Sequence, residues 1–380
     1  MEVIKTTGVP IFNWAYNPDQ GAIIQAMNLA ELSMVLERVA MMADAHQGYG
    51  VPIGTVFVAQ DAVIPNAVGL DIGCSVTAIQ FNLKAKDVQP KLQRILAQVQ
   101  EVVPSGFNWH EKPQDHEIFN SVPDIYIVKR ELNRARRQLG TLGGGNHFLE
   151  FSVDEDENLW LMIHTGSRNI GKLVAEEFNA MAEELNQFGI PKEHELCALS
   201  THTRFGQNYL EAMNFCLRFA EASHQLICAR VIEAMRPIIG RTPVPKLWVY
   251  TRHNYAELLD GGRVIHRKGA VHAHGLVAIP GSMGTRSYIG RGLAEKLSFE
   301  SCSHGAGRAL SRKKAKKTWT SDQIFQEMQD KGIQFVKTGK KQHAAEEASG
   351  AYKDIDQVMV HQVDLVEPAY ILTPIAVLKG

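Results

Sequence analysis

Cysteine is scarce in this 380-residue chain, and its spacing pairs with nothing. The five cysteines, Cys74, Cys197, Cys216, Cys228 and Cys302, are odd in number and form no CxxC pair. A disulfide framework and a zinc ribbon are therefore disfavoured, and a reducing compartment fits better. Long apolar runs are missing as well. None approaches the roughly 20 residues needed to cross a bilayer. The opening stretch MEVIKTTGVPIFNW has no secretory apolar core. A cytoplasmic protein with no membrane partner is the expectation. Nor is there an excess of charge of one sign: 40 Lys and Arg face 41 Asp and Glu, a net charge of -1. That excludes a uniformly basic nucleic-acid coat, so a polyanion would have to meet a local patch or metal ions. Internal repeats and Pro- or Ser-rich linkers are absent too. With 45% hydrophobic residues, the chain can bury a sizeable core. One catalytic domain covering residues 1–380 is the simplest account.

Local patterns give the elements. Gly21–Ala43 has apolar residues at helical spacing, Gly48–Gly54 breaks it, and Thr55–Ala59 reads as a strand. Lys91–Val102 and the basic stretch Ile125–Leu139 read as helices. Val103–Asp124, rich in Pro, Asn and His, reads as a surface loop. Two later units share one layout. Asn158–Ile163 is strand-like and leads into His164-Thr-Gly-Ser-Arg168, followed by a helix over Lys172–Phe188. Lys246–Thr251 leads into Arg252-His-Asn-Tyr255 and a short helix. Each puts a histidine where a buried strand ends. Leu199–Ile239 reads as a long helix carrying His202 and His224, both taken as ordinary surface or core positions. Strands mixed irregularly with helices indicate an α+β class, with mixed sheets around a cleft and helices outside, rather than a doubly wound sheet.

The 15 histidines are what stands out. Several lie beside Gly, Asn or Ser in turn-like settings, where a site is more common than in an apolar face. In Gly69-Leu-Asp-Ile-Gly-Cys74, Asp71 and Cys74 flank a glycine. A carboxylate and a thiolate this close can share a divalent ion, and a turn with a buried cysteine reads equally well. In Leu142-Gly-Gly-Gly-Asn-His-Phe-Leu-Glu150, three glycines let a ligand approach the backbone, and Asn146, His147 and Glu150 supply an amide, an imidazole and a carboxylate. This is neither a Walker A loop nor GxGxxG, and HExxH is absent from the chain. Asp71, Cys74, His147, His164 and His253 together form an O, N and S ligand set suited to Mn²⁺, Zn²⁺ or Co²⁺. Pro280-Gly-Ser-Met-Gly-Thr-Arg-Ser287 resembles a loop that wraps a phosphate or nucleotide. In Ser303-His-Gly-Ala-Gly-Arg308, His304 sits in a turn open enough for a bulky group. Imidazole is a competent nucleophile toward phosphorus, although a histidine in an exposed turn is the commoner case. The run Arg312–Lys317 follows closely. Arg168, Arg308, Arg312 and Lys313 are candidate contacts to RNA phosphates. Tyr352 can stack on a base, and the apolar run Tyr370–Leu378 could dock the tail and place Lys379.

Taken in order, GLDIGC, GTLGGGNHFLE, IHTGSR, RHN, HRKGA, IPGSMGT, SHGAGR and AYKDID resemble the RtcB family of RNA ligases, from about Met42 to Gly380. The resemblance implies the joining of an RNA 3′-phosphate or 2′,3′-cyclic phosphate to a 5′-hydroxyl, with GTP and two Mn²⁺ ions. His304 matches the histidine that carries GMP. By matching position, Asp71, Cys74 and His147 would hold one ion. Cys74, His164 and His253 would hold the other. The guanine nucleotide would meet Asn146, His147, Phe148, Leu149, Glu150, His253, Asn254, Pro280, Gly281, Ser282, Met283, Ser287, His304, Gly305, Ala306, Gly307, Tyr352 and Lys379. Glu150 is an acceptor suited to the N1–H and N2–H₂ edge of guanine, which adenine lacks. The implied protein is a monomer whose partner is RNA, in repair or tRNA splicing, and an accessory activator protein is compatible with it. The alternative is a protein that guanylylates RNA 3′ ends without sealing them. Ser75 stands where Gly is frequent, two histidines occur in Ala270-Val-His-Ala-His-Gly275, and Arg286 stands where a small residue is common. These departures spare every ligand and mark a divergent branch.

Overall fold

The structure, a computed structural model, describes residues 1–337 and 341–380. Among them are two large sheets, two small two-stranded ones and a set of helices, which is the α+β class expected. One large sheet runs Glu2–Ile4, Ile11–Asn13, Val35–His46, Ile53–Gln60, Arg263–Lys268, Asn254–Leu258. The other runs Pro245–Arg252, Ser75–Lys84, Asn158–Thr165, Phe148–Val153, Val366–Lys379, Ser287–Leu293, His274–Ile279. Gln334–Lys337 joins the second sheet in parallel beside Val366–Lys379, and Ile11–Asn13 pairs in parallel with Val35–His46; the other large-sheet pairings are antiparallel. Most side chains of the central strands are buried on both faces. Asn158–Thr165, for example, is buried from Leu159 onward.

Of the expected helices, one is formed only in its first half and one is replaced by a strand. Gly21–Ala43 divides into a helix, Gln20–Ala30, capped by the Asp19 side chain, and the strand Val35–His46. That strand is buried on both faces over Val39–His46, so its continuous apolar run carries no period to separate strand from helix. The residues after Arg252 form the strand Asn254–Leu258, which returns through the Asp260–Gly262 turn to pair with Arg263–Lys268. The two long helices lie where expected with shifted ends, Arg168–Leu185 and Arg204–Ile239. His202 lies in the turn before the second of these, 3.0 Å from Asp61. His224 is fully buried in it. Pro237 falls in its last turn, and Gly240, with a left-handed φ of 84°, closes it.

Candidate active site

Register alone gathers the ligands. Ser75 pairs with Thr165 on one side and Arg252 on the other, and Phe148 pairs with His164. Cys74, His147, His164 and His253 therefore emerge at the same edge of four neighbouring strands. At the usual strand spacing of about 4.8 Å, their side chains converge. Cys74 Sγ lies 3.5 Å from His147 Nε2 and 3.2 Å from His164 Nε2, and His147 Nε2 lies 2.8 Å from Asp71 Oδ2. Two groups have ligand atoms within 4.8 Å of one another: Asp71, Cys74 and His147, and Cys74, His164 and His253. Cys74 is common to both.

The loops are braced to hold this arrangement. Asn254 donates from its side-chain nitrogen to the Asp71 carbonyl at 3.1 Å, and its side-chain oxygen accepts from Gly269 N at 2.9 Å. The Cys74 carbonyl accepts from His253 N. The His164 Nδ1 lies 3.2 Å from the Asn146 carbonyl, which fixes its ring. Behind the ligands, the His224 ring contacts the Ser75 and Thr77 hydroxyls and the Thr165 carbonyl at 2.8–3.2 Å. Ser75 and Thr165 are the neighbours of Cys74 and His164, so the serine that departs from the family pattern takes part in this brace.

The electrostatics fit a cation. Burial holds the His164 and His253 imidazoles well below the ordinary histidine range, which leaves them neutral with lone pairs to offer. Burial and the Asp71 carboxylate push the Cys74 thiol well above its usual value. Asp71 is open at its rim, yet enough protein surrounds it that burial opposes its charge. The His147 charge and hydrogen bond outweigh that and hold it at about 2. His147 Nδ1 and His253 Nδ1 are buried with no hydrogen-bond partner among the described residues. A thiol, three imidazoles and a carboxylate, mostly buried, suit a borderline divalent ion whose charge would favour the thiolate.

The His304 ring centroid is 4.8 Å from that of His253. Its Nδ1 lies 2.6 Å from Asp44 Oδ2, and its backbone N donates to the same oxygen. Asp44 is fully buried. Burial opposes its ionisation, but the charge and hydrogen bond of His304 outweigh it and keep the carboxyl below its ordinary value. A carboxylate beside Nδ1 orients the ring and leaves Nε2 free. Gly307 has a φ of +70°, and a Cβ there would lie 2.3 Å from the Asp44 carbonyl, so this turn can press against the Asp44 strand only with glycine. Asp44 was not among the sequence candidates. Its signal was a lone carboxylate within the apolar run Val39–Ala45.

The remaining candidates surround this core. Ala306 N donates to the Pro280 carbonyl, and Ser287 Oγ accepts from Gly281 N, so the loops of Pro280–Met283 and His304–Gly307 abut. Phe148 and Glu150 share one face of their strand, while Leu149 points into the core on the other side. Burial pushes the Glu150 carboxyl up to about 8, against a hydrogen bond from Ser152 and the charge of Lys379. The tail docks as expected: Lys379 pairs in register with Phe148 and is buried. Its ammonium meets Glu347 at 2.9 Å, and Glu347 also accepts from the Tyr352 hydroxyl and from Arg308. Glu347 was not anticipated either, because its partners lie far apart in the chain. Arg308 is committed to Glu347, Tyr352 and the Leu310 and Glu346 carbonyls. Arg168 is held in the glycine-rich turn through Thr141 and Gly106. Arg312 is half exposed beside Gly145, and Lys313 is exposed. No helix among the described residues is long and apolar enough to cross a membrane.

This geometry defines a class: a mixed O, N and S cluster that could hold a divalent metal, beside an imidazole backed by a buried carboxylate. A family model described as tRNA-splicing ligase RtcB matches residues 25–126 and 120–380. RNA-splicing ligase RtcB of Escherichia coli K12 is 33% identical over 413 residues, covering 100% of this chain and 99% of its own length. The tRNA-splicing ligases RtcB of Aeropyrum pernix and Nanoarchaeum equitans are 34% and 31% identical, each covering 94% of this chain and 91% of its own length. The chain belongs to the RtcB family.

Proposed function

We propose that this chain is an RNA ligase that uses GTP and Mn²⁺ to join a 3′-phosphate, or a 2′,3′-cyclic phosphate first hydrolysed to one, to a 5′-hydroxyl. The observation that carries the reading is His304, braced by Asp44 on Nδ1 and set against His253 of the two-group metal cluster. His304 Nε2 attacks the α-phosphorus of GTP. An N–P bond forms, the bond to the bridging oxygen breaks, and pyrophosphate leaves. An oxygen of the RNA 3′-phosphate then attacks that phosphorus and frees the histidine, giving an RNA end capped with GMP. The 5′-hydroxyl attacks the RNA phosphorus and GMP leaves. Asp44 stabilises the positive charge that builds on the ring in the first step. Divalent ions held by Asp71, Cys74, His147, His164 and His253 would offset phosphate charge and orient in-line attack. Glu150, Tyr352 and Lys379 would hold the guanine. Site residues run from Asp44 to Lys379, so the chain acts as one catalytic unit.

The test pairs a 3′-phosphate RNA with a 5′-hydroxyl RNA, with GTP and Mn²⁺. Joined product is expected. Accumulation of a capped 3′ end without joining would convert the reading to an end-capping protein.

A further inference from the structure

The loop Pro104–Trp109 lies outside the candidate metal cluster and outside the motifs named above. Its backbone is fastened to the glycine-rich turn. Leu142 N donates to the Pro104 carbonyl and Gly106 N to the Gly143 carbonyl, both at 2.9 Å, and Ser105 and Gly143 form a parallel bridge. Gly106 has a φ of +67°, and a Cβ added to Gly144 would lie 3.5 Å from Gly106 Cα, so the two turns touch. Farther along, His110 N donates to the Arg137 carbonyl at 2.9 Å, and Arg230 contacts the His110 ring at 3.0 Å. A loop held on both sides would be expected to tuck its aromatic residues inward. Instead, Phe107 is fully exposed, at 101%, and Trp109 is 43% exposed.

The surroundings indicate what this ring meets. Gly144 is three residues from the ligand His147, a reach of at most about 11 Å. Arg168 and Arg312 lie against Gly143 and Gly145. Arg136 and Arg137 lie in the last turn of the helix Tyr126–Gln138, to which His110 and Gln114, just beyond the loop, are bonded, with the Arg136 guanidinium over the Phe119 ring. One exposed ring is far smaller than the roughly 800 Å² per partner of a stable protein interface. It does match the face of a single nucleobase, and the Arg168 guanidinium lies beside the preceding residue, donating to the Gly106 carbonyl at 3.4 Å.

We propose that Phe107 is a stacking platform for one base of the RNA strand whose end enters the metal site. This rests on the reading of the chain as an RNA-joining enzyme. A base of any identity can stack, so the platform grips an end without selecting sequence and fixes the distance from base to reacting phosphate.

The test measures RNA affinity by fluorescence anisotropy with Mn²⁺ and no GTP, so no chemistry is required. Single-stranded RNAs bear either a 3′-phosphate or a 5′-hydroxyl end, each with an abasic site at one of the three terminal positions. Phe107→Ala should weaken binding of the intact strand about 10- to 100-fold, and Phe107→Trp should retain it. One abasic position should produce the same loss and add nothing in the Phe107→Ala variant. The strand carrying that position identifies which end stacks. Affinity within twofold of the parent for Phe107→Ala, or losses that multiply at every abasic position, overturns the proposal. Adduct formation by the parent with labelled GTP decides the nucleotide reading separately, so the two can fail independently.

Discussion

Replacing Asp44 with asparagine should separate the nucleophile from the metal. Asp44 is fully buried, with Oδ2 2.6 Å from His304 Nδ1. It belongs to neither ligand group. Asparagine keeps the volume but loses the charge, and its amide can present a donor to Nδ1 and favour the wrong tautomer. Where a buried carboxylate orients a catalytic imidazole, that exchange costs up to about 10⁴ in rate. Here the first step also builds positive charge on the ring, beside a fully buried carboxylate. The expected loss is about 10³-fold, or roughly 4 kcal/mol of barrier. The assay is the single-turnover rate of GMP adduct formation from labelled GTP at saturating Mn²⁺, beside metal content and thermal melting. A rate within threefold of the parent, or a loss of metal in step with the loss of rate, would refute the assignment of Asp44 to the ring.

Further outcomes follow from the same geometry. Cys74→Ala should empty both metal positions, because Cys74 is common to the two groups, whereas Asp71→Ala and His253→Ala should each weaken one; metal content by mass spectrometry decides this. Glu347→Gln removes the carboxylate that the buried Lys379 ammonium meets at 2.9 Å and should lower stability by about 3 kcal/mol in urea unfolding. Glu150, raised from 4.5 to about 8 by burial, holds more protons folded than unfolded between those values. Nucleotide-free stability should therefore fall as pH rises across that window, and Glu150→Gln should flatten the slope in melting curves.

The candidate ligands were legible because they lie beside glycines in short turns or at strand ends: Asp71 and Cys74 around Gly73, His147 after three glycines, His164 and His253 at strand ends. Their convergence was not legible, since it comes from antiparallel register between strands such as Ser75–Lys84 and Asn158–Thr165. Asp44 carries no local signal beyond a lone carboxylate: it lies just past Gly21–Ala43, in an apolar run buried on both faces that reads as helix or strand alike, and it meets His304 only in the folded chain. Glu347 gave no local signal because Arg308, Tyr352 and Lys379 reach it only in the folded chain. Phe107 sat in a segment read as a surface loop, and only its exposure in the fold distinguishes it.

The central claim is that His304 carries the nucleotide. Incubation with α-labelled GTP and Mn²⁺, followed by peptide mapping, tests it most directly. The account predicts one labelled peptide, centred on Ser303–Gly305, absent from His304→Ala and discharged by 3′-phosphate RNA. A label that persists in His304→Ala, or joining of RNA ends in that variant, would contradict it.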